Sequence, residues 1–358
     1  MVKIKKSNRN NYIDELRGIA AIGIVAIHTA FWSGSYYTPL WFQSLTLLLD
    51  VPFFFFLSGW ASSHHVGNIY QTIRGLGRIW LKWVFFIIVW AGVCIPIGGG
   101  ITNIREFAST VIFNVTFQTF PVAAGSMWFM PYYMIVLVLN QFLLFLTGRL
   151  AENKDRALLS YTGFLFLLIV LQNLGSRFVL VIDASLLFYS FFWSAGVAYE
   201  RLETKITRKG LIAGMCLIVV GIILSARILD MPVSPMQDNK FPPNLTYLLA
   251  SFIVILIALF MKKDHRKQVS LLVHIGRNAI WYFFAQGVGS SLLYPVLNYI
   301  NIEWWPPKWL VCFLINLLIT TVIAELLRVV YGVIQTMCEK LQKKLKWERG
   351  MAYEVKDQ

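Results

Sequence analysis

Two side chains near the start of the chain, Arg17 and His28, carry chemistry that is expensive to keep inside an apolar run. A guanidinium holds anions such as phosphates, and a neutral imidazole is the side chain best suited to taking up or giving a proton near neutral pH. They stand eleven positions apart. A helix returns residues at that spacing to nearly one face, about 16 Å apart along its axis. One face of the first apolar segment thus carries a cation near its start and a titratable ring near or beyond its middle. An arginine that snorkels to the interface and a core histidine bonded to a neighbouring helix would produce the same pattern, and spacing alone favours neither account. Asp14, one turn before Arg17, is placed to pair with it.

Other polar groups recur within or beside apolar runs. Asp50 opens the stretch Asp50-Val51-Pro52-Phe53-Phe54-Phe55-Phe56-Leu57-Ser58-Gly59-Trp60. A carboxylate there must find a cation or face water, and His28 is a candidate partner. The four phenylalanines cover every face of a helix and declare lipid and core contact. Ser58-Gly59 reads first as a small-residue patch that lets helices approach closely. The next loop offers His64, His65, Arg74 and Arg78, with Lys82 just beyond. Such a cluster suits the phosphates of a nucleotide-containing donor, and it is equally what charge bias across a membrane produces without a ligand. Two adjacent histidines are too few for a metal site. Trp128, in Gly125-Ser126-Met127-Trp128-Phe129-Met130, falls at an interface, where an indole anchors the helix or stacks on a sugar. Arg277 and Asn278 lie about one turn inside another apolar run, and Glu325 and Arg328, at i, i+3, neutralise each other.

The elements that must position these groups are spans. The chain has 358 residues, 57% of them apolar and only 14% charged, with a mean hydropathy of +0.62. That composition excludes a soluble globular enzyme, and disorder, collagen and coiled coil with it. Apolar segments recur at 12–33, 40–62, 78–97, 126–147, 157–175, 179–199, 210–229, 244–261, 271–297 and 307–335. The expected fold is an all-α integral membrane protein, a polytopic bundle of about ten transmembrane helices. Residues 1–335 would form the transmembrane domain and 336–358 a basic cytoplasmic tail. The stretch from Phe107 to Phe117 is apolar but short, which suits a re-entrant or interfacial helix.

Lysines and arginines alternate between successive connections as the positive-inside rule requires. One side receives Lys3, Lys5, Lys6 and Arg9, then Arg74 and Arg78, then Arg149, Lys154 and Arg156. It also receives Arg201, Lys205, Arg208 and Lys209, then Lys262, Lys263, Arg266 and Lys267, and finally the tail from Lys340 to Lys356. The other side has only Arg105, Arg177, Arg227, Lys240 and Lys308. Both termini are therefore expected in the cytoplasm. The net charge of +14 is accounted for by topology and anionic lipid, without nucleic acid as a partner. Asp14, Glu15 and Arg17 crowd the start of the first segment, so it reads as a retained span rather than a cleaved signal. Cys94, Cys216, Cys312 and Cys338 are scattered, and show neither a disulfide framework nor a metal-ligand spacing.

Taken in order, several of these segments resemble the membrane acyltransferase-3 family, bacterial multi-span proteins that O-acylate cell-surface glycans and related acceptors. The resemblance rests on Asp14-x-Leu16-Arg17-Gly18 followed by His28, on Phe-Phe-x-Leu-Ser-Gly at Phe54 to Gly59, on Trp128-Phe129, and on Gly276-Arg277-Asn278. It covers roughly residues 12–286. The resemblance implies transfer of an acyl group, acetyl first among them, from cytosolic acetyl-CoA to a hydroxyl of a saccharide or lipid-linked glycan at the bacterial cytoplasmic membrane. It implies acyl-CoA as co-substrate, with no tightly bound cofactor and no metal. His28 would be the general base, with a transient acyl-histidine as the variant, Arg17 would hold donor phosphates or the thioester carbonyl, and Asp50 would orient His28. Arg74, Arg78, Lys82 and Arg277 would serve the donor, and Ser58, Trp128 and Asn278 the acceptor or the framework. Three positions depart from the family pattern. Pro52 stands where many members have an aspartate, the loop pair is Arg74-x-x-x-Arg78 rather than Arg-x-x-Arg, and Gln286 replaces a frequent histidine. The chain ends soon after its last apolar segment, so no fused hydrolase-like domain is expected. A glycan or lipid-precursor transporter and an acyltransferase for lipids or amino-acid derivatives are the rival readings.

Overall fold

The long apolar runs become helices because a chain in lipid has to satisfy every backbone donor and acceptor within itself. A computed structural model describes residues 10–94, 104–114, 120–150, 153–175, 181–228, 232–262 and 269–354. Lys3, Lys5, Lys6, Arg9, Arg177, Lys263, Arg266, Lys267 and Lys356 lie outside the described residues. Among those described there is no strand, only a bridge between Lys240 and Pro243. The helices are α1 Asn11–His28, α2 Leu40–Thr46, α3 Val51–Ser62, α4 Ile69–Cys94, α5 Ile104–Val111, α6 Pro121–Ser126 and α7 Phe129–Leu150. There follow α8 Lys154–Asn173, α9 Ala184–Leu202, α10 Arg208–Ile228, α11 Leu245–Met261, α12 Ser270–Arg277, α13 Ala279–Leu297 and α14 Trp305–Glu354.

Seven helical stretches among the described residues are long and apolar enough to cross a membrane. Between them lie α9, α11 and α13, of 19, 17 and 19 residues, where the remaining apolar segments were expected. The eight residues of α5 rise only about 12 Å, too little for a span. This helix is held to α4 by Trp83 Nε1, which donates to the Thr110 carbonyl at 3.1 Å. Three expected boundaries move. α4 begins at Ile69, so Arg74 and Arg78 sit on its first turns rather than in a loop. The single segment expected at 271–297 is two helices broken at Asn278. The boundary expected at residue 335 falls inside α14, whose 50 residues continue unbroken into the basic stretch.

Two backbone crossings set the frame. α3 packs against α9 and α1 against α12. At the first crossing, a Cβ on Gly59 would land on the Trp193 carbonyl, and one on Gly196 on the Phe56 carbonyl. At the second, Gly18 abuts the Leu272 carbonyl and Gly276 the Asp14 carbonyl. Helices in lipid associate through such close packing, since burial from water contributes little there. The small-residue reading of Ser58-Gly59 is what the structure shows. α3 is enclosed by protein, so Phe53, Phe55 and Phe56 are buried in the core rather than turned to lipid. Phe55 stacks on Tyr189 with ring centroids 4.6 Å apart. Gly59→Val should therefore destabilise the protein by about 3 kcal/mol, the upper end of the usual cost of overpacking, since backbone cannot yield as a side chain does. Gly77→Ala, where a Cβ meets nothing within 4 Å, should be neutral. Thermal unfolding of the two purified variants checks this, and equal midpoints would contradict the crossing.

Candidate active site

Asp14 organises one end of the site. Buried on α1, it pairs with Arg17 one turn on, Nη1 to Oδ1 at 3.4 Å, and with Arg277 at the end of α12, Nε to Oδ2 at 3.5 Å. Arg277 also donates to Asn11 Oδ1 at 2.8 Å. The glycine crossing of α1 and α12 is what brings the two arginines to one carboxylate.

Arg17 lines two cavities. The outer, of about 500 Å³, opens among Ser62, His65, Arg74, Arg78 and Gln141. Arg74 and Arg78, at i, i+4 on α4, face it together, as an i, i+3 pair would. The inner, of about 260 Å³, is apolar apart from Arg17, Ser58, Tyr133 and Arg277, and its walls include Ile24, Val51, Phe54, Phe129 and Phe283. Arg17, Ser58, Ile79 and Tyr133 belong to both. The Ser58 hydroxyl is 3.2 Å from that of Tyr133.

Beyond three of the inner chamber's walls, within a turn along the chain, stand polar side chains. Ile24 is one turn before His28 on α1, Val51 follows Asp50, and Phe283 is one turn before Gln286 on α13. Arg17, Ile24 and His28 follow one stripe of α1, as the seven- and four-residue steps require. His28 Nδ1 is hydrogen-bonded to Gln286 Oε1. With the amide oxygen assigned to the ring side, Nδ1 carries the proton and Nε2 keeps its lone pair, while Gln286 Nε2 is buried without a partner among the described residues. Immediately after His28 the helix widens into a π turn, Thr29–Ser33, in which Gly34 N donates to the Thr29 carbonyl at 2.7 Å. Such turns cluster at functional sites. Asn316 of α14 braces this turn, donating to Thr29 Oγ1 at 3.0 Å and to Ser290 Oγ of α13 at 2.9 Å.

Asp50 is the N-cap residue of α3, yet its side chain makes no cap bond. It turns instead to Lys240, Nζ to Oδ2 at 2.6 Å, and accepts from the Tyr247 hydroxyl at 2.7 Å. The sequence pointed to His28 as its partner. The structure gives it Lys240, which arrives from the segment between α10 and α11, while Gln286 takes His28. Both Asp50 and Lys240 still lie within electrostatic reach of His28. The Lys240 ammonium stands 5.2 Å from the Trp128 ring and 5.1 Å from the Phe241 ring.

The structure thus brings Arg17, Arg74, Arg78, Arg277 and Ser58 onto connected cavities, and His28 and Asp50 to a polar layer within a turn, along the chain, of the inner one's walls. Two expected site residues lie elsewhere. Lys82 turns its ammonium to the Trp281 ring, 5.4 Å away, and lines neither cavity. Asn278 closes its own turn, donating to the His274 carbonyl at 2.9 Å. The expected Glu325 and Arg328 pair forms at 2.7 Å and is joined by His274 at 2.8 Å. Lys240, Tyr247 and Asn316 were not identified from sequence, and Gln286 was noted only as a departure. One signal existed for Lys240: Asp50 required a cation, and Lys240 is one of the few cations outside the basic connections. Among the described residues no three metal-ligating side chains converge, and none of the four cysteines is in a disulfide.

A family model described as an acyltransferase domain matches residues 10–325. No curated protein and no solved structure matches the chain.

Proposed function

Since this chain belongs to the acyltransferase-3 family and is a multi-pass membrane acyltransferase, we propose that it moves an acetyl group from cytosolic acetyl-CoA to a hydroxyl of a cell-surface saccharide. The observation that carries this reading is the pair of cavities joined at Arg17, basic at one end and apolar at the other, with His28 one turn beyond the Ile24 wall. That sequence of surfaces matches an acyl-CoA read from its phosphates to its thioester.

In this reading Arg74, Arg78 and Arg17 hold the phosphates, and guanidinium groups suit them better than ammonium because they bind phosphate oxygens in pairs. The pantetheine arm lies in the chamber among Ile24, Phe54 and Phe283. The thioester carbonyl then stands near the His28 layer. Gln286 holds the ring by Nδ1, and Nε2 takes the proton of the acceptor hydroxyl as its oxygen bonds to the thioester carbon. The carbon–sulfur bond breaks, and the departing thiolate receives that proton, leaving ester and free coenzyme A. Holding both partners in one dry site supplies the rest by proximity. We place the molecule in the bacterial cytoplasmic membrane as ten spans with both termini inside. The charge distribution supports this orientation, since the phosphate-binding end then faces the compartment that contains coenzyme A.

The test is the base-labile acyl content of surface polysaccharide from cells lacking the gene, with and without complementation. Loss in the deletion strain and recovery with the intact protein are expected. Unchanged acyl content would overturn the saccharide reading. Label from acetyl-CoA appearing in lipid or small amino-acid products would redirect the acceptor, and no acyl-dependent labelling of membranes would favour a transporter.

A further inference from the structure

The mechanism above uses His28, Gln286 and the cavities on the donor side, and leaves one buried cluster without a task. Lys240 is only 6% exposed, although lysine is among the residues least often buried. It reaches its position because residues 232–244 fold back against the bundle. Met236 N donates to Ser44 Oγ at 3.0 Å, Asn239 Nδ2 to the Pro232 carbonyl at 2.6 Å, and Asn244 Nδ2 to Asn239 Oδ1 at 2.6 Å.

Stability alone is a poor reason for this arrangement. Taking an ammonium and a carboxylate from water costs much of what their attraction returns, and such a pair is weak evidence of stabilisation. Asp50 also gives up the cap of α3 to make it, although aspartate is among the best capping residues. The cluster has the chemistry of a site that reads a polyhydroxylated ring. Trp128 and Phe241 offer ring faces at its rim, Phe241 being 47% exposed and Trp128 half-buried. Their rings meet edge to face at 5.0 Å. Beneath them lie a carboxylate and an ammonium, an acceptor and a donor for hydroxyls. Tyr189 stands 6.1 Å from Trp128, and its buried hydroxyl has no hydrogen-bond partner among the described residues. The cluster adjoins the His28 layer, since Asp50 and Lys240 both lie within electrostatic reach of the ring.

We propose that Lys240, held on Asp50 beneath Trp128 and Phe241, is the residue that positions a saccharide acceptor over His28. The proposal rests on the acyltransferase reading and adds to it which residues the acceptor meets. A lysine acting on the acceptor separates the two substrates kinetically, whereas a merely structural ion pair does not.

The experiment uses the full-length protein in lipid nanodiscs, radiolabelled acetyl-CoA as donor and surface polysaccharide from the deletion strain, stripped of base-labile groups, as acceptor. Lys240→Met should raise the KM for polysaccharide about tenfold or more while the KM for acetyl-CoA stays within about twofold. Lys240→Arg keeps the charge and should fall between Lys240→Met and the intact protein. In the double variant Asp50→Asn/Lys240→Met no charge is left unpaired, so a structural pair would be relieved by it. The raised polysaccharide KM should persist in that variant. Recovery there, an unchanged polysaccharide KM in Lys240→Met, or a parallel rise in the acetyl-CoA KM would each overturn the assignment. If the intact protein transfers no label to the polysaccharide, the saccharide reading falls and this proposal with it. Transfer by the intact protein with Lys240→Met unaltered removes only the proposal.

Discussion

Replacing His28 with alanine should lower acyl transfer by about 10²- to 10⁴-fold, the usual contribution of a positioned general base. The affinity for coenzyme A should stay as it is, because the chamber wall on that stripe of α1 is Ile24 and not His28. The pairing of outcomes matters more than the loss itself. A packing role predicts damage to both quantities, or to neither. The measurement is label transfer from acetyl-CoA in nanodiscs at matched protein, beside calorimetric titration with coenzyme A. Retained transfer in His28→Ala would make the ring a framework residue held by Gln286 and would remove the mechanism proposed above.

Arg17→Met should give the converse result. Its side chain is 27% exposed, bonds to the buried Asp14 at 3.4 Å and is shared by both cavities. Losing a charge-assisted contact to phosphate in such a setting costs about 2 kcal/mol or more, equivalent to roughly a 30-fold weaker coenzyme A complex. Arg17→Lys restores charge but not the paired donors, and should recover only part of the affinity. The alternative is that Arg17 serves only to neutralise Asp14. Asp14→Asn combined with Arg17→Met would then bind coenzyme A normally, because Arg277 would have no buried carboxylate to satisfy. Titration of that double variant decides between the two.

Much of the frame was legible because length and hydropathy are properties of single segments. The run before His28 gives α1, and the runs around Met134 and Leu317 give α7 and α14. The start of α4 escaped because Arg74 and Arg78 lower the hydropathy of a stretch they do nothing to break as helix, arginine being a good helix former. The break at Asn278 escaped for the opposite reason, since the apolar run continues across it and a single polar residue leaves no mark on a window of twenty. At the site, the pairing of Arg17 with Asp14 was readable because it is local. The partners of His28 and Asp50 were not. Gln286 and Lys240 lie 258 and about 190 positions away, and which of them meets which side chain depends on helix rotation and on the path of the connection before α11, neither of which the sequence prints.

The π turn at Thr29–Ser33 bears on how firmly the reacting end of the first span is held. A helix that simply stops leaves its last carbonyls without partners. Here the first span closes by widening, and Gly34 N returns to the Thr29 carbonyl at 2.7 Å. Thr38, from the connection that precedes α2, donates its hydroxyl to the Ala30 and Gly34 carbonyls at 3.0 and 2.8 Å. The change of backbone geometry thus falls wholly after His28, and the stripe of Arg17, Ile24 and His28 keeps its α-helical register. The ring stands on the last regular turn of a helix whose end is tied down rather than frayed, so its backbone is fixed where a proton would have to be moved.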